Sequence, residues 1–300
     1  MTEFRKARVA VSLMAMVALA IAGQARADAN DLQIFQLGTP GSGSNDPATE
    51  RFRMLANELG VAMAGPTLEP ANTLGIDGFD FAFETSFVLI NPSTQIGGQS
   101  YWATTNLPPN VLVIPQLHFR KGLPYSLELG GRVSIIPNSS MYVGGAEAKW
   151  GILEGFRYAP DVSARFSMSR LFGQNDFDVT TGGLDFTMGK QFGLAGLVSL
   201  SPYVGYALTG IDSSSRTFWA SSTTSQTDYQ QNPIANQAIF AEQKWSDNLY
   251  DRFYVGLQVT SYVLSLNAEY SYSRPSSFSG TAFPVNPGIS QVGLRIALTL

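Results

Sequence analysis

From Phe79 to the carboxyl end, apolar or aromatic residues alternate with small or polar ones over stretches of about ten residues, each closed by turn residues. A period of two puts successive side chains on opposite faces of an extended chain, so this pattern builds strands and cannot build amphipathic helices. In the first stretch Phe79, Phe81, Phe83, Phe87 and Leu89 share one face, and Asp80, Ala82, Glu84 and Ser86 the other. The second, near 111–120, sets Val111, Val113, Leu117 and Phe119 against Gln116, His118 and Arg120. The third, 125–135, sets Tyr125, Leu127, Leu129, Val133 and Ile135 against Ser126, Glu128, Arg132 and Ser134. Further stretches at 142–152, 162–172, 179–190, 198–209, 252–261, 264–273 and 289–300 bring the total to about ten.

The apolar face is nearly continuous and rich in aromatics, while the other face carries full charges in mid-strand. Charged residues make up 14% of the chain, against about 25% in soluble domains, too few to coat a soluble surface. The reading is therefore apolar face outward into lipid and charged face inward, in an all-β, closed antiparallel transmembrane barrel of about ten strands. Strands of about ten to twelve residues, tilted near 40°, match an apolar band of roughly 25 Å. Eight or twelve strands stay open, because Pro115 and Pro202 fall inside proposed strands, where each marks a bulge or a shorter strand, and because 210–250 has room for a hairpin around 235–245. The rival at class level is a soluble periplasmic barrel with the opposite facing.

The amino end reads MTEFRKAR, then VAVSLMAMVALAIAG, then QARA: a basic region, an apolar core and a small-residue exit. Ala25 and Ala27 supply the cleavage pattern of a secretory signal peptide over 1–27. An uncleaved anchor is the alternative, but the apolar run is short of the roughly 18–20 residues of a spanning helix. No later stretch is apolar enough to cross as a helix, so residence in a membrane must come from strands. The absence of Cys excludes disulfide staples, thiolate chemistry and Cys-ligated metal. A net charge of −4 with no basic run argues against nucleic acid as a partner. Residues 28–76 form a separate segment, periplasmic or a plug, ahead of the barrel at 77–300. Within it Asp46 and Pro47 start a short helix with Phe52, Leu55 and Leu59 on one stripe and Gly60 as its stop. That helix is a cap or packing partner at the barrel rim, or a plug in the lumen.

With the first strand running upward, the outer connections are 91–109, 137–141, 173–177, 210–250 and 275–288, and the inner turns fall near Arg120, Glu154, Gln191 and Tyr262. All the long connections then lie on one side, and Leu300 ends at the opposite rim. Aromatic girdle candidates are Phe79, Tyr125, Trp150, Phe172, Tyr250, Phe253, Tyr270 and Tyr272. The last strand, QVGLRIALTL, resembles the carboxy-terminal assembly signal of Gram-negative outer-membrane β-barrels, at Gln291, Gly293, Ile296 and Leu298, with Leu300 where Phe or Trp is commonest. That resemblance implies export to the outer membrane, contact with its lipid and lipopolysaccharide, and folding by its assembly machinery.

The inward set is Asp80, Glu84, Glu128, Glu147, Asp185 and Glu269 with Arg120, Arg132, Lys149, Arg165, Arg252 and Arg295. A barrel this narrow pairs such charges across a packed interior, or lines a narrow hydrated pore with them. The single histidine, His118, sits near the inner end of its strand and reads as a lumen hydrogen-bonding residue. Asp176 and Asp178 in an outer loop read as a solvated turn rather than a cation site. The paired glycines at 130–131, 144–145 and 182–183 precede no helix, so they ease sheet curvature rather than cradle phosphate. The long outer loop, with Trp219, Tyr229 and Trp245, is a mobile polar loop or a binding surface. No residue pattern asks for a metal or other cofactor. The expected role is structural or weakly pore-forming for small solutes. A transporter of hydrophobic ligands comes second: GSGSNDPAT is similar to the Asn-Pro-Ala element in the hatch of long-chain fatty-acid transporters at Asn45, Pro47 and Ala48, with Asp46 interrupting it. A surface enzyme or adhesin comes third.

Overall fold

The computed structural model describes residues 31–41, 46–104, 109–194, 198–219, 237–276 and 288–300. The proposed cleavage site at Ala25 and Ala27, and Asn45, lie outside the described residues.

Ten long strands form the wall: β1 (Phe79–Leu89), β2 (Val111–Leu123), β3 (Leu127–Ile135), β4 (Tyr142–Leu153), β5 (Asp161–Phe172), β6 (Phe177–Gly189), β7 (Val198–Ser215), β8 (Leu249–Ser261), β9 (Leu264–Pro275) and β10 (Ile289–Thr299). Each pairs antiparallel with the next, and β10 returns to pair with β1 from Asp80↔Thr299 to Val88↔Gln291, closing the ring. Backbone bonds between Phe79 and Leu300 in both directions seal the join. The expected closed ten-stranded antiparallel barrel is the fold observed.

Neither proline bends the wall. Pro115 pairs with Thr85 on β1 and lies one residue beyond the β2–β3 ladder, which begins at Gln116. Pro202 falls between the β6–β7 ladder, which begins at Tyr203, and a short ladder of β7 with Phe192–Leu194 that ends at Leu200. Each lies one residue beyond a ladder with one neighbouring strand, so a residue without N–H breaks no ladder bond on that side. The register shift lies instead between Gly151 and Leu153 on β4.

Some boundaries differ from expectation. Tyr125 and Ser126 have φ of 65° and 55° and form the tight turn before β3 rather than its first residues. Strand β7 runs on to Ser215, and Phe218–Trp219 pairs with Gln237–Ala238 in a small ladder outside the wall, so the described residues of the long connection add no barrel strand. Tyr250 is only 1% exposed and points inward with Arg252, its period-two neighbour, whereas the other girdle candidates are exposed or partly so.

The helix, α1 (Pro47–Ala64), is capped by Asp46, whose carboxylate accepts from Thr49 N at 2.8 Å. It runs through Gly60 and stops at Gly65, where φ is +63°, correcting the expected stop. Gly60 is required by closeness rather than by termination, since a Cβ there would stand 2.7 Å from Ile211 Cγ2 on β7. Fifteen of the eighteen helical residues are buried, the pattern of a helix enclosed on all sides. Its partners are β5, β6 and β7. The helix therefore lies within the barrel, not beneath it as a cap. Ahead of it, residues 31–41 sit among the long connections: Leu32 bridges to Thr104, Gln174 Nε2 donates to Leu32 O at 2.7 Å, and Ser140 N donates to Asp31 Oδ1 at 2.7 Å. Behind it, residues 65–78 thread the lumen to the short-turn end and enter β1.

Candidate functional site: the plugged lumen

The inward rows of several strands change character along their length. On β2 they read Leu112, Ile114, Gln116, His118, Arg120 from the long-loop end to the short-turn end, and on β6 Phe177, Val179, Thr181, Gly183, Asp185, Thr187. The upper half is thus apolar, and α1 packs into it. Phe52 stacks on Phe240 with ring centroids 4.8 Å apart and meets Phe177 edge-on at 6.3 Å. Val88, Val143, Leu171, Ile211 and Ile289 complete the wall of this core. These inward apolar residues were not anticipated as a group.

Polar side chains of α1 are held by the loops above. Arg51 donates to Leu37 O at 2.7 and 3.0 Å and to Ile96 O at 2.5 Å. Glu58, 3% exposed, accepts from Tyr101 Oη at 2.7 Å, Trp102 Nε1 at 2.6 Å and Asn91 N at 3.3 Å. Burial lifts its carboxyl above the ordinary glutamate range, although the three donors favour the charged form. The loop after β1 is thereby tied to the helix.

In the lower half all twelve expected charged residues point inward, none more than 7% exposed. Arg295 donates to Glu84 at 2.9 Å and also pairs with Asp80; Arg120 reaches Asp80 and Glu128, each at 3.2 Å. Arg165 meets Asp185 at 2.6 Å and Glu147 at 2.9 Å, and Arg252 meets Asp185 at 3.1 Å. Arg132 donates to Ser169 Oγ at 2.8 Å. His118 lies between Glu84 and Glu147, at 3.0 Å from Nδ1 and 3.1 Å from Nε2, an arrangement in which both ring nitrogens donate.

The wall also reads the threaded backbone almost residue by residue. Gln291 Nε2 donates to Val61 O at 3.0 Å and Arg252 to Gly65 O. Glu269 accepts from Thr67 N at 2.9 Å and Leu68 N at 2.7 Å, and Asn267 donates to Leu68 O at 2.8 Å. These bonds pin Leu68, fully buried with φ of 53°, in the strained left-handed region. Lys149 donates to Pro70 O at 2.7 Å and Asn72 O at 3.0 Å, Glu154 accepts from Thr73 N at 3.1 Å, and Glu128 from Leu74 N. Glu69, unremarked in the sequence, meets Arg120, Lys149 at 3.1 Å and Arg165 at 3.5 Å. A polar cavity of about 190 Å³ remains at the short-turn end, bordered by Asn72, Thr73, Asp80 and Arg120.

Of the remaining expected site residues, Gln291 and Gly293 face the plug, and a Cβ on Gly293 would stand 2.6 Å from Pro66 Cγ. Ile296, Leu298 and Leu300 are exposed on the outer face. Asp178 pairs with Arg170 and Arg216, each at 3.2 Å, at the rim. No group of three or more His, Cys, Asp or Glu side chains placed to hold a metal ion occurs among the described residues. Trp245 folds against Gly182 and Gly210, filling the space their side chains would take.

No family model and no curated protein matches the chain. Among solved structures, the chain is similar to the beta domain of the Bordetella autotransporter BrkA, at 11% identity over 73% of this chain and 98% of that one, with a TM-score of 0.39. It is similar to the amino-terminal β-barrel domain of Pseudomonas aeruginosa OprF at 11% identity, 75% and 99% coverage and a TM-score of 0.27. The attachment invasion locus protein Ail of Yersinia pestis gives 10%, 75% and 99%, and 0.26. Likenesses this low assign no role to any residue.

Proposed function

We propose that this chain is an exported outer-membrane barrel that seals its own lumen with residues 46–74 and passes small solutes only when that segment shifts. The observation that carries the reading is continuous occupation: α1 fills the half toward the long loops, and residues 65–74 fill the half toward the short turns. Residence in a membrane is supported by the outer face, where Phe83, Phe119, Leu129, Trp150, Phe166, Val255 and Ile296 are each 42–57% exposed. Apolar area of that extent costs about 25 cal/mol per Å² in water and nothing in lipid. Contact with lipid and lipopolysaccharide follows from this belt, and recognition by the assembly machinery would act through β10. With long loops outward, as such barrels place them, residues 31–41 reach the cell surface.

The test is fractionation with electrophoresis before and after heating, then planar-bilayer conductance. The reading expects a heat-dependent shift in the outer-membrane fraction and a mostly closed channel with brief openings. A soluble periplasmic product, or a steadily open pore, would sink it. Hydrophobic-ligand transport is the second reading, favoured by the apolar upper chamber that α1 occupies. The charged lower half interrupts any apolar route through the lumen.

A further inference from the structure

Among the cations of the lumen, Lys149 is distinct. Arg120 and Arg165 each bridge Glu69 and two wall carboxylates, but among the described residues the one ion pair of Lys149 is with Glu69, and its other two donors go to Pro70 O and Asn72 O. All three protons of this buried ammonium are therefore committed to the plug. Charge balance leads to the same place. Asp161 pairs with Lys190 at the short-turn rim; the other six wall carboxylates and the six permanent cations of the lumen offset one another, and His118, with a carboxylate on each ring nitrogen, stands as a seventh cation. Glu69 is the seventh carboxylate, and the plug brings it.

Resting on the self-plugged reading above, we propose that Arg120, Lys149 and Arg165 form a carboxylate-binding site on the solute path, that Glu69 occupies it at rest, and that the solutes admitted are small carboxylate-bearing anions. Withdrawal of residues 65–74 alone strands Lys149 as an unpaired buried charge, which is costly. A solute carboxylate entering as Glu69 leaves restores a charge-assisted partner, so exchange is favoured over simple opening. A neutral solute offers no such partner and a cation meets like charge. The 190 Å³ cavity bordered by Arg120 gives a small anion standing room beside the site before the exchange. Arg120 Nε has no hydrogen-bond partner among the described residues, leaving one guanidinium donor unused at rest.

The test uses full-length Glu69→Ala and reads the midpoint temperature of the gel-shift transition in sodium formate or acetate, against chloride and phosphate at matched ionic strength. The expected result is a lowered midpoint that formate or acetate restores saturably by half or more, with no such response in the native chain or in Glu69→Ala combined with Lys149→Met. Equal responses to all salts, a stronger response to phosphate, or rescue that survives loss of Lys149 would overturn the proposal. Should Glu69→Ala not fold, bilayer openings of the native chain decide: acetate over sodium permeability of about threefold or more, falling toward one in Lys149→Met, supports the site, and no change refutes it. Absence of openings in every chain would refute the self-plugged pore and, where Glu69→Ala does not fold, the proposed site with it; where Glu69→Ala folds, its salt titration judges the site on its own.

Discussion

In the half of the lumen toward the long loops, α1 packs Phe52, Leu55 and Leu59 into one apolar cluster with Phe177, Val179 and Ile211 of the wall and Phe240 of the long connection; in the half toward the short turns, residues 65–74 meet the wall with amides, carbonyls and Glu69. Apolar packing is close-fitted but undirected, and it tolerates small shifts at modest cost. The polar half is directional. Glu269 holding two consecutive N–H groups and Lys149 holding Glu69 with two carbonyls admit one register only. The upper half supplies burial, and the lower half says where the chain must stop.

That division can be broken most forcefully at Glu69. Glu69→Lys removes the carboxylate shared by three cations and adds a fourth, and uncompensated buried charge of this kind costs upward of about 5 kcal/mol. The expected outcome is ejection of residues 65–74, read as frequent bilayer openings and a sharply lowered gel-shift midpoint. Phe52→Ala comes next, at about 3 kcal/mol or more for a large cavity among Phe177 and Phe240. It should lower the midpoint while leaving the channel mostly closed, because the register contacts survive. Equal opening in both variants would show that the two halves do not divide the work.

The wall was legible because every second residue of a barrel strand faces outward and the rest face the lumen, so charge in mid-strand on the less apolar face marked the inside. The twelve inward charges and the ten strands follow from that single rule. The plug was not legible, because the stripe of Phe52, Leu55 and Leu59 fits any apolar surface and says nothing about which one. A signal was present in Leu112, Ile114, Val179 and Ile289, apolar residues on the polar face near the long-loop end. A wall apolar on its inner face as well as its outer one has protein packed inside it. Glu69 carried no pattern at all, since it sits between Leu68 and Pro70 in a stretch whose role comes only from side chains that are distant in sequence.

A finer test of the upper half uses Gly60, which lets α1 approach β7 closely. Gly60→Ala gains about 1 kcal/mol of helix propensity and loses about 1–3 kcal/mol to overpacking against Ile211. The net expectation is a small loss. Adding Ile211→Ala should cost less in the Gly60→Ala background than in the native one, because the new methyl fills part of the space vacated, a coupling readable from the four gel-shift midpoints. Strict additivity would mean that α1 does not approach β7 at this point.

The smallest effect expected is at Glu58, where the loop after β1 closes over α1. Burial raises its folded-state pKa above the ordinary value of 4.5, so the folded chain still holds the proton in a window where the unfolded chain has released it. Stability therefore falls as pH rises from 4.5 through the raised pKa, with a slope of at most about 1.4 kcal/mol per unit, and is flat above it. Glu58→Gln keeps an acceptor for Tyr101, Trp102 and Asn91 but cannot titrate, so it should lose this part of the pH dependence. The difference between native and variant midpoints across that window isolates the group from the other carboxylates. A constant difference would place the loop's hold on α1 in Arg51 and its two carbonyl partners instead, and make the helix independent of pH at that end.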